Sequence, residues 1–141
     1  MKTVKSILVS VVLVLLVSVS AMAQSNAKVI AVINKADWCP TCQQNGERAM
    51  AAFMANNKDM SIQFVANDVT DDNTKKKSAV ELKKLGLEKE VAENCKATGV
   101  AYFFNSETKA LISQVSVAKS DQELASALTT AKKGLKTVIK N

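Results

Sequence analysis

The sequence predicts an α/β fold: a three-layer sandwich in which a four-stranded mixed sheet carries helices on both faces. Three observations predict it. The segment Lys28 to Asn34 (KVIAVIN) is a short, nearly continuous apolar run that leads directly into a helical pattern opened by Pro40. Two later runs, Val100 to Phe104 and Leu111 to Val117, flank the five polar residues Asn105 to Lys109 and read as an antiparallel hairpin. Helical spacings fill the intervals and the end of the chain. The resulting order is β-α-β-α-β-β-α, a parallel crossover followed by a hairpin and a last helix.

The domain is expected to begin at Gln24. Lys2 and Lys5 precede an uncharged, largely apolar run from Ile7 to Val19, and Ala21-Met22-Ala23 follows as an AxA cleavage site. That is the pattern of a secretory signal peptide over residues 1–23. The run of 13 residues is shorter than the roughly 20 that a membrane span needs. Cleavage, no stable membrane anchor afterwards, and a periplasmic or extracellular location are therefore expected. Residues 24–141 suffice for one hydrophobic core and are too few for two.

Losing Lys2 and Lys5 lowers the formal net charge from +6 to +4. The remaining bases are scattered without interleaved aromatics, so no nucleic-acid surface is expected. Lys75-Lys76-Lys77 reads as a solvated helix face.

Each element has its own signature. Lys28 to Asn34 is rich in Val and Ile and suits a central strand buried on both faces. From Pro40 to about Asn57, Ala49, Met50, Phe53 and Met54 define one apolar helical face. Pro40 suits a first helical turn, where a missing N–H is no loss. Gly46 inside this helix disfavours it by about 1 kcal/mol relative to Ala. Ser61 to Val69 is the second strand. A helical region then runs from about Thr74 to Leu85, breaks near Gly86 and resumes from Leu87 to Ala97, with Leu87, Val91 and Cys95 on one stripe. Ser120-Asp121-Gln122-Glu123 is a capping box for the last helix. Leu124, Ala127, Leu128 and Ala131 form its apolar face, and Gly134 is expected to stop it.

The chemistry-bearing motif is Trp38-Cys39-Pro40-Thr41-Cys42, set where the first strand passes into the first helix. At a helix N-terminus, unpaired N–H groups and the helix dipole favour a thiolate, which is the reactive form of cysteine. Cys42, one turn further on, is in reach of the Cys39 sulfur and can attack a mixed disulfide there. A purely structural disulfide across two residues gains little loop entropy. A zinc site within one chain lacks ligands, because the sequence has no histidine. Three readings stay open: thiol-disulfide exchange, metal or cluster binding by the CxxC pairs of two chains, and a binding module that does no chemistry. No cofactor is called for. Cys95, on the stripe with Leu87 and Val91, reads as a small buried hydrophobe.

The segment Val29 to Cys42, with WCPTC entering a helix, resembles the active-site region of the thioredoxin superfamily, and the element order matches over residues 28–134. The resemblance implies that Cys39 attacks, that Cys42 resolves, and that Trp38 with Pro40 and Thr41 belongs to the surface receiving protein thiol or disulfide substrates. A separate redox partner is implied as well. Three departures from the family pattern stand out. The buried acid six residues before the first cysteine is replaced by Ile33. Pro40 is the only proline, so the family's cis-proline is missing; its position falls at Ala101, or at Val100 with a one-residue slip, and a trans bond is expected there. The helical region between the second and third strands is longer than in a minimal thioredoxin.

Overall fold

The computed structural model describes residues 26–137, so the leader expected over residues 1–23 lies outside the described residues. Four strands form one sheet: β1 (Val29–Lys35), β2 (Ile62–Asp68), β3 (Val100–Asn105) and β4 (Leu111–Ser116), in the order β2-β1-β3-β4. β1 pairs parallel with β2 and antiparallel with β3, and β3 pairs antiparallel with β4. The central place of β1 follows from its composition. Val29 to Val32 are all buried, as a strand covered on both faces requires.

Among the described residues four helices complete the layers: α1 (Pro40–Ala55), α2 (Asp72–Lys84), α3 (Glu88–Asn94) and α4 (Asp121–Thr137). Alternation along the strands divides the core in two. Val29, Ala31, Ala101 and Phe103 face α1 and α4, meeting Ala49 and Phe53 from one helix and Leu124 and Leu128 from the other. Ile30, Val32, Tyr102 and Phe104 face α2 and α3, meeting Leu82, Leu87 and Val91. Phe53 anchors the first layer, stacked on Phe64 at 5.5 Å and edge-on to Phe103 at 6.3 Å between ring centroids. Its full burial contributes about 1.5–3 kcal/mol. Element order and strand order are those of a thioredoxin-like fold.

The helix signals hold locally with three corrections. On α1 the buried face is Ala49, Ala52 and Phe53, while Met54 is 59% exposed. The second lobe of the long helical region ends at Asn94, short of Ala97. There the chain turns toward the sheet because the side chain of Asn34 donates to the carbonyls of Cys95 (3.3 Å) and Ala97 (2.8 Å). The Tyr102 hydroxyl accepts the Ala97 N–H at 3.1 Å. These partners satisfy groups that a continued helix would have paired internally.

The third correction concerns Gly134, which does not end α4 but lies within it. A Cβ there would stand 2.4 Å from Cγ2 of Ile112, so the glycine permits close approach of α4 to β4. Gly86, by contrast, does break the helical region, at φ +69°. The capping box of α4 also forms: the Glu123 N–H donates to Ser120 Oγ (3.3 Å), and the Ser120 N–H donates to Glu123 Oε2 (2.9 Å). Lys75, Lys76 and Lys77 are exposed. Among the described residues no helix is long and apolar enough to cross a membrane.

Candidate functional site

The strand-to-helix junction sets the two thiols. Cys39 is the N-cap of α1, in extended backbone, and Pro40 takes the first helical position. The Gln43 N–H donates to the Cys39 carbonyl at 3.1 Å, the first bond of the helix. The Cys39 side chain takes the place that Ser or Asp holds in an ordinary cap: its Sγ accepts the Cys42 N–H at 3.2 Å. Both cysteines are in the free thiol form.

Their acidities diverge. Burial pushes the Cys39 thiol up, but hydrogen bonds from the Cys42 thiol, the Thr98 side chain and the backbone N–H groups of Cys42 and Thr41 outweigh it, and the Cys39 pKa lies below its ordinary value. For Cys42, burial acts upward first. Its hydrogen bond to Cys39 and the charge of that neighbour act the same way, so its pKa is raised. Cys39 is therefore the more readily ionised thiol of the pair and Cys42 the less readily ionised one.

Trp38 is 60% exposed, with its indole N–H donating to the Thr70 carbonyl at 3.1 Å. The Asp37 N–H donates to Thr70 Oγ1 at 2.9 Å, and the Gln43 side chain donates to the Asp37 carbonyl. Trp38 and Pro40 stand at the surface beside the pair, and Thr41 is half-buried there.

Val100 and Ala101 open β3 on opposite faces of the sheet. Ala101 is fully buried in the layer beneath α1 and pairs with Ile33, while Val100 packs against the opposite layer. Gly99, just before them, lies close to the Cys39 sulfur. A Cβ on it would lie 3.6 Å from Cys39 Sγ and 2.9 Å from Thr41 Cγ2, so a side chain there would crowd Thr41. Its φ of +74° also favours glycine. The Gly99 N–H donates to the Asn34 carbonyl at 2.7 Å, and its carbonyl accepts the Val117 N–H at 2.9 Å. No peptide bond among the described residues is cis.

Thr98, Gly99 and Asn34 are the site residues that sequence reasoning missed. The sequence did carry a signal for two of them: Asn34 is a lone amide in an apolar strand, and Gly99 stands at the very edge of β3. Asn34 is 3% exposed and also accepts from the Asn67 side chain at 2.8 Å, so its whole amide is engaged. It acts as the bracket holding the 95–99 segment against Cys39.

Ile33, in the place of the family's buried acid, lines a cavity of about 530 Å³ that Cys42 also lines. No carboxylate replaces it on β1, and Asp37 is exposed. Among the described residues no group of three His, Cys, Asp or Glu side chains could hold a metal ion.

No family model matches the chain, and no curated protein matches it. A solved structure that it resembles is Trxlp from Edwardsiella tarda, with 16% sequence identity and a TM-score of 0.46, covering 79% of this chain and 91% of that one. The fold follows from the topology described above, and a thiol-related role is what that fold and the close Cys39-Cys42 pair support.

Proposed function

We propose that the protein is an exported thiol-disulfide oxidoreductase that exchanges disulfides with protein substrates. The observation that carries this reading is the Cys39 thiol at the N-cap of α1, accepting the Cys42 N–H at 3.2 Å and held below its usual pKa with Cys42 one turn away. Nucleophilic exchange proceeds through the thiolate, and a lowered pKa makes that form easier to reach.

In the reducing direction the Cys39 thiolate attacks one sulfur of a substrate disulfide. A Cys39–substrate disulfide forms, and the other substrate sulfur leaves as a thiolate that takes a proton. Cys42 then loses its proton and attacks the Cys39 sulfur. The Cys39–Cys42 disulfide forms and the second substrate thiolate leaves, so two electrons pass from the dithiol to the substrate. The reverse sequence oxidises a substrate dithiol. The Gly99 backbone and Trp38 provide the surface beside the mixed disulfide. Export to an oxidising compartment, where disulfides persist, is consistent with this chemistry.

Cys42→Ser decides the matter. The variant should accumulate mixed disulfides on Cys39 that reductant releases, and the wild-type pair should equilibrate reversibly with glutathione. An unreactive Cys39 would favour the reading that Ile33 and the 3% exposure of Cys39 support instead, a binding module without turnover.

A further inference from the structure

The cavity beside Cys42 has no part in the exchange steps above. At about 530 Å³ it lies within the range of ligand-binding pockets. Its interior is apolar, formed by Ile33, Ala36, Met50 and Val117. Gly46 is part of its lining, and apart from its own helix backbone nothing lies within 4 Å of the place its Cβ would occupy, so a side chain there has room to enter. Gly46 is thus unlike Gly134: no close contact requires a glycine there.

The mouth is charged. Asp37 and Glu47 both line it and are exposed, and neither forms an ion pair among the described residues. Lys35, the cation of the same lining, is engaged by Asp68 at 3.4 Å. The free charge at the mouth is therefore negative and complements a base. Cys42 and Gly99, both in the lining, also lie against Cys39. A polypeptide joined to Cys39 is thus tethered within a residue or two of the opening, and tethering makes entry of its own side chain effectively intramolecular.

We propose that this cavity receives an apolar side chain of the polypeptide undergoing exchange, from a residue adjacent to its reacting cysteine, with a flanking Lys or Arg meeting Asp37 and Glu47. The inference rests on the exchange reading of Cys39 and Cys42. It names a substrate class: cysteines with a large apolar neighbour in a basic segment.

The test compares disulfide peptides reacting with the full chain in its dithiol form. One peptide carries Leu beside the cysteine and Lys beyond it, a second carries Ser and Glu at those places, and the disulfide of 2-mercaptoethanol serves as the reference. The expected rate ratio of the Leu-Lys to the Ser-Glu peptide is roughly tenfold or more, as burial of one apolar side chain provides. Gly46→Leu plugs the cavity while improving helix propensity, and its ratio should fall close to one. Asp37→Asn with Glu47→Gln should remove the part of the preference due to Lys. A ratio near one in the wild type while the small disulfide reacts, or an undiminished preference in Gly46→Leu, overturns the proposal. Failure of every disulfide to react, the small one included, overturns the exchange reading and this inference with it.

Discussion

Cys39 occupies the N-cap of α1, where N–H groups converge on its sulfur; Cys95 occupies the C-cap of α3, where the chain presents carbonyls. The first is held below its ordinary pKa by hydrogen bonds that outweigh its burial. The second packs beside the layer of Leu82, Leu87 and Val91, and burial, only slightly offset by Lys96, pushes its thiol up to about 12. The two side chains are chemically identical. Reactivity is decided by which backbone groups face the sulfur: donors stabilise the thiolate, and an apolar wall without donors leaves a small hydrophobe. Asn34 serves both places, since its side chain holds the Cys95 carbonyl and its backbone carbonyl holds the Gly99 N–H.

The largest effect that can break this comparison is on exchange itself. Cys39→Ser should abolish turnover, whereas Cys95→Ser should leave the glutathione equilibrium of the remaining pair unchanged. Mass spectrometry of the folded, reduced chain after brief iodoacetamide treatment should find the label on Cys39 at neutral pH and none on Cys95; equal labelling would refute the contrast.

A second contrast lies in alkaline stability. A thiol with a raised folded pKa stays protonated while the unfolded chain releases its proton above about pH 9. The stability it contributes below that pH is then lost progressively as pH rises toward 12. Cys42 acts in the same direction and Cys39 in the opposite one, its contribution being present above 9.0 and lost as pH falls through its lowered folded value. Urea unfolding between pH 8 and 11 should therefore show Cys95→Ala losing less stability than the wild type; parallel curves would count against the burial of Cys95.

Smaller still is the effect of Thr98→Val, which removes one donor to Cys39. It should raise the alkylation midpoint of Cys39, slow exchange at neutral pH several-fold and leave Cys95 untouched. A hydrogen bond to a charged group is worth roughly 1.5–3 kcal/mol at most. The least consequential change is Cys95→Ala at neutral pH, expected to cost about 1 kcal/mol or less of stability through lost packing at a half-buried position.

Much of this molecule is legible along the chain. The alternation of apolar runs gave the strands to within a residue or two, and Pro40, the capping box at Ser120 and Gly86 marked helix limits correctly. Gly134 misled, because a glycine near a helix end looks like a stop whether it serves as one or makes room for Ile112. Spacing along β3 points to Ala101 or Val100 as the counterpart of the missing proline, and it does not reveal that Gly99, one residue earlier, also lies close to the Cys39 sulfur.

What the sequence determined by itself is therefore local. It set the strand leading into a helix, the thiol at that helix's first turn, and the second thiol one turn later, because these depend on φ/ψ preferences and on the 3.6-residue repeat. Only the tertiary structure decided which distant groups surround the sulfur. Thr98 and Gly99 reach Cys39 through the pairing of β1 with β3 and through the amide of Asn34. Ile33, Gly46 and Val117 come to line one cavity only when β1, α1 and the turn after β4 meet. Such contacts are fixed by register and packing between segments far apart in the chain, and no local pattern encodes them.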